Sequence, residues 1–64
     1  MVKINGEQQA AAGKSVSTYL EEAGYDSRAV AVEYNEEILP KDAYASTIMK
    51  EDDVIEIVCF MGGG

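Results

Sequence analysis

Few side chains in this 64-residue sequence could do chemistry of their own. Histidine is absent and Cys59 is the only cysteine, so no Ser–His or Cys–His nucleophile pair can be assembled and no thiolate or imidazole metal set is available. Cys59 reads as a small apolar residue at a strand end, with no cationic neighbour in sequence to stabilise a thiolate. What remains is the end, Gly62-Gly63-Gly64. Three glycines cannot pack a core, and they lose the most conformational entropy on ordering. A frayed terminus or a cloning remnant would look similar, although such scars more often carry Ser, a protease site or a His tag. The chemistry that calls for glycine here is chemistry on the terminal carboxylate. If that group must enter another protein's active site and be activated there by ATP, the last residues have to thread a narrow channel. A Cβ on either of the last two residues would thicken the thread and crowd in-line attack on the α-phosphate. Gly62 and Gly63 are therefore candidate threading residues, and Gly64 is the candidate reactive end. Phe60 and Met61 lie just before them. They either extend the preceding strand over the edge of the core or latch the tail into a partner groove, since aromatic and Met side chains are common interface anchors.

A chain of this length makes one domain with a small core. It has too little mass to build a deep cleft and also support a full catalytic set, which favours a module that other proteins act upon over an enzyme. Five Lys and Arg face twelve Asp and Glu, a net charge of −7, which argues against nucleic acid and anionic membrane as partners. The acidic surface either keeps a small protein soluble or steers it to a basic partner. A single cysteine, where a small secreted domain carries several disulfides, argues for a reducing cytoplasmic setting. The opening Met1-Val2-Lys3-Ile4-Asn5-Gly6 turns polar at once, unlike a secretory leader, and no apolar run is long enough to span a bilayer.

The tail must be carried by something rigid. Val2-Lys3-Ile4 alternates as a half-buried strand, and Asn5-Gly6 suits a two-residue type I′ turn. Glu7 to Ala12 is the return strand, weak enough in strand formers to lie at an edge. Ser15 or Ser17 caps a two-turn helix whose face is Val16, Tyr19, Leu20 and Ala23, and Gly24 ends it. Ala29 to Tyr34 is an apolar, central strand. Asn35-Glu36 is a turn, and Glu37-Ile38-Leu39 is a short strand stopped by Pro40. Lys41 to Ala45 is a loop with a helical turn near Tyr44. Thr47-Ile48-Met49 is a short extended piece, and Glu51-Asp52-Asp53 is a turn. Val54 to Val58 is the strongest strand. The first and last strands are expected paired at the sheet centre, with Ile4, Val16, Leu20, Val32, Ile55 and Ile57 buried under the helix. This is an α+β, β-grasp (ubiquitin-like) order: a mixed four- to five-stranded sheet covered by one main helix. The reading divides the chain into a domain over 1–58 and a flexible tail over 59–64.

With the elements in place, the chain resembles the thiamine-biosynthesis sulfur-carrier (ThiS) family nearly end to end. The resemblance rests on Val2-Lys3-Ile4-Asn5-Gly6-Glu7, on the helix from Val16 to Gly24, on Val30 to Lys41 with its Asn-x-Glu-Ile-Leu-Pro segment, and on Val54 to Val58 followed by the glycines. The family often has Asn-Gly where this chain has Asn35-Glu36, Gly-Asp where it has Asp52-Asp53, and Trp where it has Tyr44. The resemblance implies that a ubiquitin-activating-type adenylyltransferase (ThiF-like) uses MgATP to adenylate the Gly64 carboxylate. Persulfide sulfur from a donor such as a cysteine desulfurase then yields a Gly64 thiocarboxylate, and a thiazole synthase (ThiG-like) takes that sulfur. It implies a carrier with no bound cofactor or metal and no catalytic residue. Open alternatives are a carrier of another pathway (the small subunit of molybdopterin synthase, or a cysteine-type carrier), a ubiquitin-like protein modifier, and an interaction domain with an inert tail.

Overall fold

A computed structural model describes residues 1–60. Its strands are β1 (Val2–Ile4), β2 (Glu7–Gln9), β3 (Val30–Tyr34), β4 (Glu37–Leu39) and β5 (Val54–Cys59), with one α-helix, α1 (Val16–Glu22), after β2. Two 3-10 turns, Ser27–Ala29 and Lys41–Ala43, precede β3 and follow β4. The five strands form one mixed sheet in the order β2-β1-β5-β3-β4. Only the β1–β5 pair is parallel, so the first and last strands meet at the centre as expected.

Local chemistry sets the corners. Asn5 (φ 51°) and Gly6 (φ 85°) are both left-handed, as a type I′ hairpin requires. Asn35 (φ 51°) and Glu36 (φ 73°) repeat that geometry between β3 and β4, with glutamate where glycine is easier. Ser15 caps α1 by accepting the Thr18 N–H at 3.1 Å. At the other end Gly24 (φ 86°) is left-handed. Its N–H donates to the Glu21 carbonyl, and the Tyr25 N–H donates to the Leu20 carbonyl, which together make a Schellman motif.

The helix covers one face of the sheet. All six residues expected there, Ile4, Val16, Leu20, Val32, Ile55 and Ile57, are buried, and Tyr19 packs against them half-buried. Ala23 differs from expectation: it is the C-cap and is exposed, because the helix ends before its last turn reaches the core. Five further residues complete the core. Val2 and Val30 are strand residues, whereas Ala11, Tyr44 and Met49 come from irregular segments. The return strand is shorter than its expected span of Glu7 to Ala12, since after Gln9 the chain turns inward to bury Ala11. Residues 47–49 do run extended, but against residues 13–16 and not in the sheet. Val16 N–H donates to Thr47 O and Met49 N–H to Lys14 O, both at 2.9 Å.

Candidate functional site: the root of the tail

β5 carries the tail, and it is held along its length. At its start, the Asp53 carboxylate accepts hydrogen bonds from the Tyr34 hydroxyl, from the Lys50 N–H (2.8 Å) and from Asn35 Nδ2 (3.2 Å). Asn35 Oδ1 in turn accepts the Val54 N–H at 2.9 Å. Partial burial pushes the Asp53 carboxyl up, but the bonds from Tyr34, Lys50 and Asn35 outweigh it, and the net position is below the usual carboxylate range. Burial, reinforced by the bond to Asp53 and its charge, pushes the Tyr34 phenol up to about 12. At mid-strand, the Asn5 side chain both accepts the Ile57 N–H (2.7 Å) and donates to the Ile57 carbonyl (3.2 Å). A turn residue thus clasps the strand that bears the tail.

The strand runs one residue beyond the expected limit at Val58. Cys59 pairs with Val30 in the β3–β5 ladder, and the Phe60 N–H donates to the Ala29 carbonyl at 3.0 Å. Cys59 therefore does sit at a strand end, but it is an exposed free thiol and not a packed one. Phe60 extends the strand's hydrogen bonding but does not cover the core. Its side chain is 56% exposed, with Lys41 Nζ 5.3 Å from the ring centroid. Met61 and Gly62, Gly63 and Gly64 lie outside the described residues, so the latch, threading and attachment roles expected for them do too.

The face of the sheet turned away from α1 has a character that sequence reading missed. Strand alternation puts Ala31, Glu33, Ile38, Val54, Glu56 and Val58 there, with Lys3 and Gln8 on the flanking hairpin. Val54, Val58 and Ile38 are 42%, 55% and 68% exposed, so apolar surface is left open. Val58 faces Ala31, and Glu33 directly faces Glu56, while Ile38 lies on the other side of Glu33. Two like charges opposed in a ladder destabilise it. The signal is present as alternating Val-x-Glu-x-Val spacing, but only the register reveals that the two glutamates meet.

Among the described residues no group of three His, Cys, Asp or Glu side chains is arranged to hold a metal ion, and no helix is long and apolar enough to cross a membrane. A hollow of about 300 Å³ between α1 and the first 3-10 turn is lined by Ser17, Leu20, Glu21, Tyr25, Asp26 and Ser27. Its Asp26 is already bonded to Arg28. None of the tail-root residues lines it.

Comparison with known proteins agrees with this architecture. The ThiS family model matches residues 2–64. The sulfur carrier protein ThiS of Thermus thermophilus is 38% identical over 64 residues, covering all of both chains. A thiazole synthase of Paramagnetospirillum magneticum is 50% identical over 62 residues, 95% of this chain but 19% of that protein. A second, from Magnetococcus marinus, is 38% identical over 64 residues, so the chain spans about a fifth of the length of either synthase. The crystal structure of a thiamine biosynthesis protein (ThiS) from Geobacter metallireducens superposes with a TM-score of 0.77 at 31% identity, covering 98% of this chain and 97% of that one. The β-grasp domain described above, matched from its first strand through its terminal glycines, belongs to the ThiS family.

Proposed function

We propose that this chain is a sulfur carrier for thiamine biosynthesis and that its working group is the Gly64 carboxylate. The observation that carries this is the match to the carrier of Thermus thermophilus over the whole of both chains. In this reading a ThiF-like adenylyltransferase docks the domain and draws Gly62 and Gly63 into its active site. With MgATP as its substrate it joins the Gly64 carboxylate to AMP and releases pyrophosphate. Persulfide sulfur, supplied by a cysteine desulfurase or a similar donor, displaces AMP. A second thiol, acting as reductant, then attacks the donor-side sulfur of the resulting acyl disulfide, forms a disulfide with the donor and leaves a thiocarboxylate on Gly64. The carrier provides a rigid handle and no catalytic group, so it is a co-substrate and not an enzyme. It works in the cytoplasm, where its single thiol stays reduced.

A thiazole synthase as sulfur acceptor is supported by the two proteins of that name that contain a segment like this chain. The open sheet face supports docking on a basic, partly apolar partner surface. Its exposed Val58 and Ile38 supply area, and Glu33 and Glu56 gain most when a cation comes between them. Phe60, exposed at the root of the tail, fits the same contact.

The test is ATP–pyrophosphate exchange with the organism's own adenylyltransferase, together with intact mass of the recovered carrier. Wild type should support exchange and gain one sulfur in place of one oxygen at Gly64. Deleting Gly64 withdraws the carboxyl by up to about 3.5 Å. Misplacement by even about 1 Å can cost on the order of a hundredfold in rate. Deletion of Gly64, or addition of one residue after it, should therefore abolish exchange while leaving thermal unfolding unchanged. Wild-type exchange by either variant would rule the reading out. Recovery of the chain in isopeptide linkage to other proteins would favour a protein modifier instead.

A further inference from the structure

The last described residue is gripped by a side chain from a distant loop. Lys41 opens the 3-10 turn after Pro40. Its Nζ donates to the carbonyls of Ser27 (2.9 Å) and Val30 (3.0 Å). The same Nζ lies 5.3 Å from the centroid of the Phe60 ring, within the range in which an ammonium is attracted to an aromatic face. Ser27 and Val30 bracket Ala29, whose carbonyl accepts the Phe60 N–H. One ammonium group therefore holds both the backbone that receives Phe60 and the ring of Phe60 itself.

The chemistry of the group fits a clamp. An ammonium has three donors, and two are spent on carbonyls. The chain carries twelve carboxylic side chains, yet among the described residues Lys41 is in no salt bridge, unlike Lys14 and Arg28. Its ammonium is close enough to act on Asp26 through charge, but its hydrogen bonds go to two backbone carbonyls and it lies over a π-face at the tail's root. Without it, Phe60 would lose its cationic neighbour while its N–H still donates to Ala29 and its ring stays largely exposed.

We propose that Lys41 is a positioning residue for activation of the tail, holding Phe60 so that the chain leaves β5 in a fixed direction. This rests on the carrier reading, in which Gly64 must reach a partner's active site. A fixed root lowers the number of tail directions sampled once the domain has docked, so the effect belongs in kcat and not in docking.

Four variants test it: Lys41→Met, Lys41→Arg, Phe60→Leu and the double Lys41→Met/Phe60→Leu. In free wild-type protein, NMR should show the Lys41 ε-methylene protons shifted upfield by the ring, and Phe60→Leu should abolish that shift. In ATP–pyrophosphate exchange with the organism's adenylyltransferase, Lys41→Met should lower kcat by about three- to tenfold with KM for the carrier nearly unchanged. Phe60→Leu should do the same, the double variant should be no worse than either single one, and Lys41→Arg should recover most of the rate. Additive losses, a loss confined to KM, an unchanged kcat or the absence of the ring shift would each overturn the clamp while leaving the carrier reading intact. Absence of exchange by wild type would overturn the carrier reading, and the clamp's role with it, whatever the NMR shows.

Discussion

Glu33→Lys puts a cation directly opposite Glu56 on the open face of the sheet, where the native chain has two carboxylates. Both native side chains are exposed, and the other neighbour of Glu33 across the sheet is the apolar Ile38. No strand cation except Lys3 is available to relieve them. Cross-strand charge pairs contribute about 0.2–1 kcal/mol, unfavourable for like charges and favourable for opposite ones. Taking about 0.25–0.5 kcal/mol for each solvated pair, loss of one repulsion and gain of one attraction should stabilise the domain by about 0.5–1 kcal/mol. In a domain this small that raises Tm by about 2–8 °C. The assay is thermal unfolding by circular dichroism at low salt and again near 1 M salt, where a Debye length of about 3 Å should remove most of the gain. If the carrier docks through this face on a basic surface, as proposed above, the same variant should be a poorer substrate, because a lysine would meet that surface. A rise in KM of at least about tenfold is expected in ATP–pyrophosphate exchange. A Tm at or below wild type in low salt refutes the repulsion. An unchanged KM refutes docking through this face.

Three further outcomes are expected. Leu20→Ala removes a fully buried side chain from under the sheet and should cost about 2–5 kcal/mol in urea unfolding, whereas a loss no larger than that of a surface variant would mean the helix face is misread. Asp53 and Tyr34, bonded to each other, should make stability fall at both ends of the pH scale. Tyr34 acts chiefly through its burial and then through the bond, Asp53 through the hydrogen bonds it accepts from Tyr34, Lys50 and Asn35. Asp53 is held below its ordinary value, so its contribution is present above about pH 4 and is lost as pH falls through its folded value. Tyr34, at about 12 when folded, contributes fully below about pH 10 and loses that contribution as pH rises toward 12. Tyr34→Phe removes the phenol and one of the three donors to Asp53, so in the Tm–pH curve it should remove the alkaline contribution and flatten the acid limb in part, and an unaltered acid limb would show the bond to be without weight. Glu36→Gly should stabilise by about 0.5 kcal/mol, since relief of a left-handed non-glycine residue (about 1–2 kcal/mol) exceeds the added unfolded-state entropy (about 0.5–1 kcal/mol), and a destabilised variant would contradict that balance.

What could be read from sequence was whatever repeats with a period or sits at a forced turn. The alternation of Val2-Lys3-Ile4 and of Val54 to Val58, the 3–4 spacing of Val16 and Leu20, and the left-handed Asn5-Gly6 and Gly24 each follow from local geometry, and each is in place. Ala11, Tyr44 and Met49 are equally buried but come from segments without a period, where burial depends on how the loop folds back and no pattern announces it. Ala23 fails for the opposite reason: it has the right spacing, but the helix stops too soon to use it. At the site, the glycines and Phe60 stood out by composition and place. Lys41 and the Glu33–Glu56 pair did not, because both depend on which distant residues the topology brings together.

The parallel pairing of β1 with β5 has a consequence for synthesis. Among the strands of the described residues, the one at the middle of the sheet is made after the other four. A nascent chain that has emerged only as far as β4 holds α1 and two hairpins, β1–β2 and β3–β4, with no strand between the hairpins to join them into one sheet. An isolated two-stranded hairpin is marginal in water, and the joining contacts span up to about fifty residues, the kind of long-range closure that slows folding. The sheet is therefore expected to close in one late step, when β5 inserts between the two hairpins.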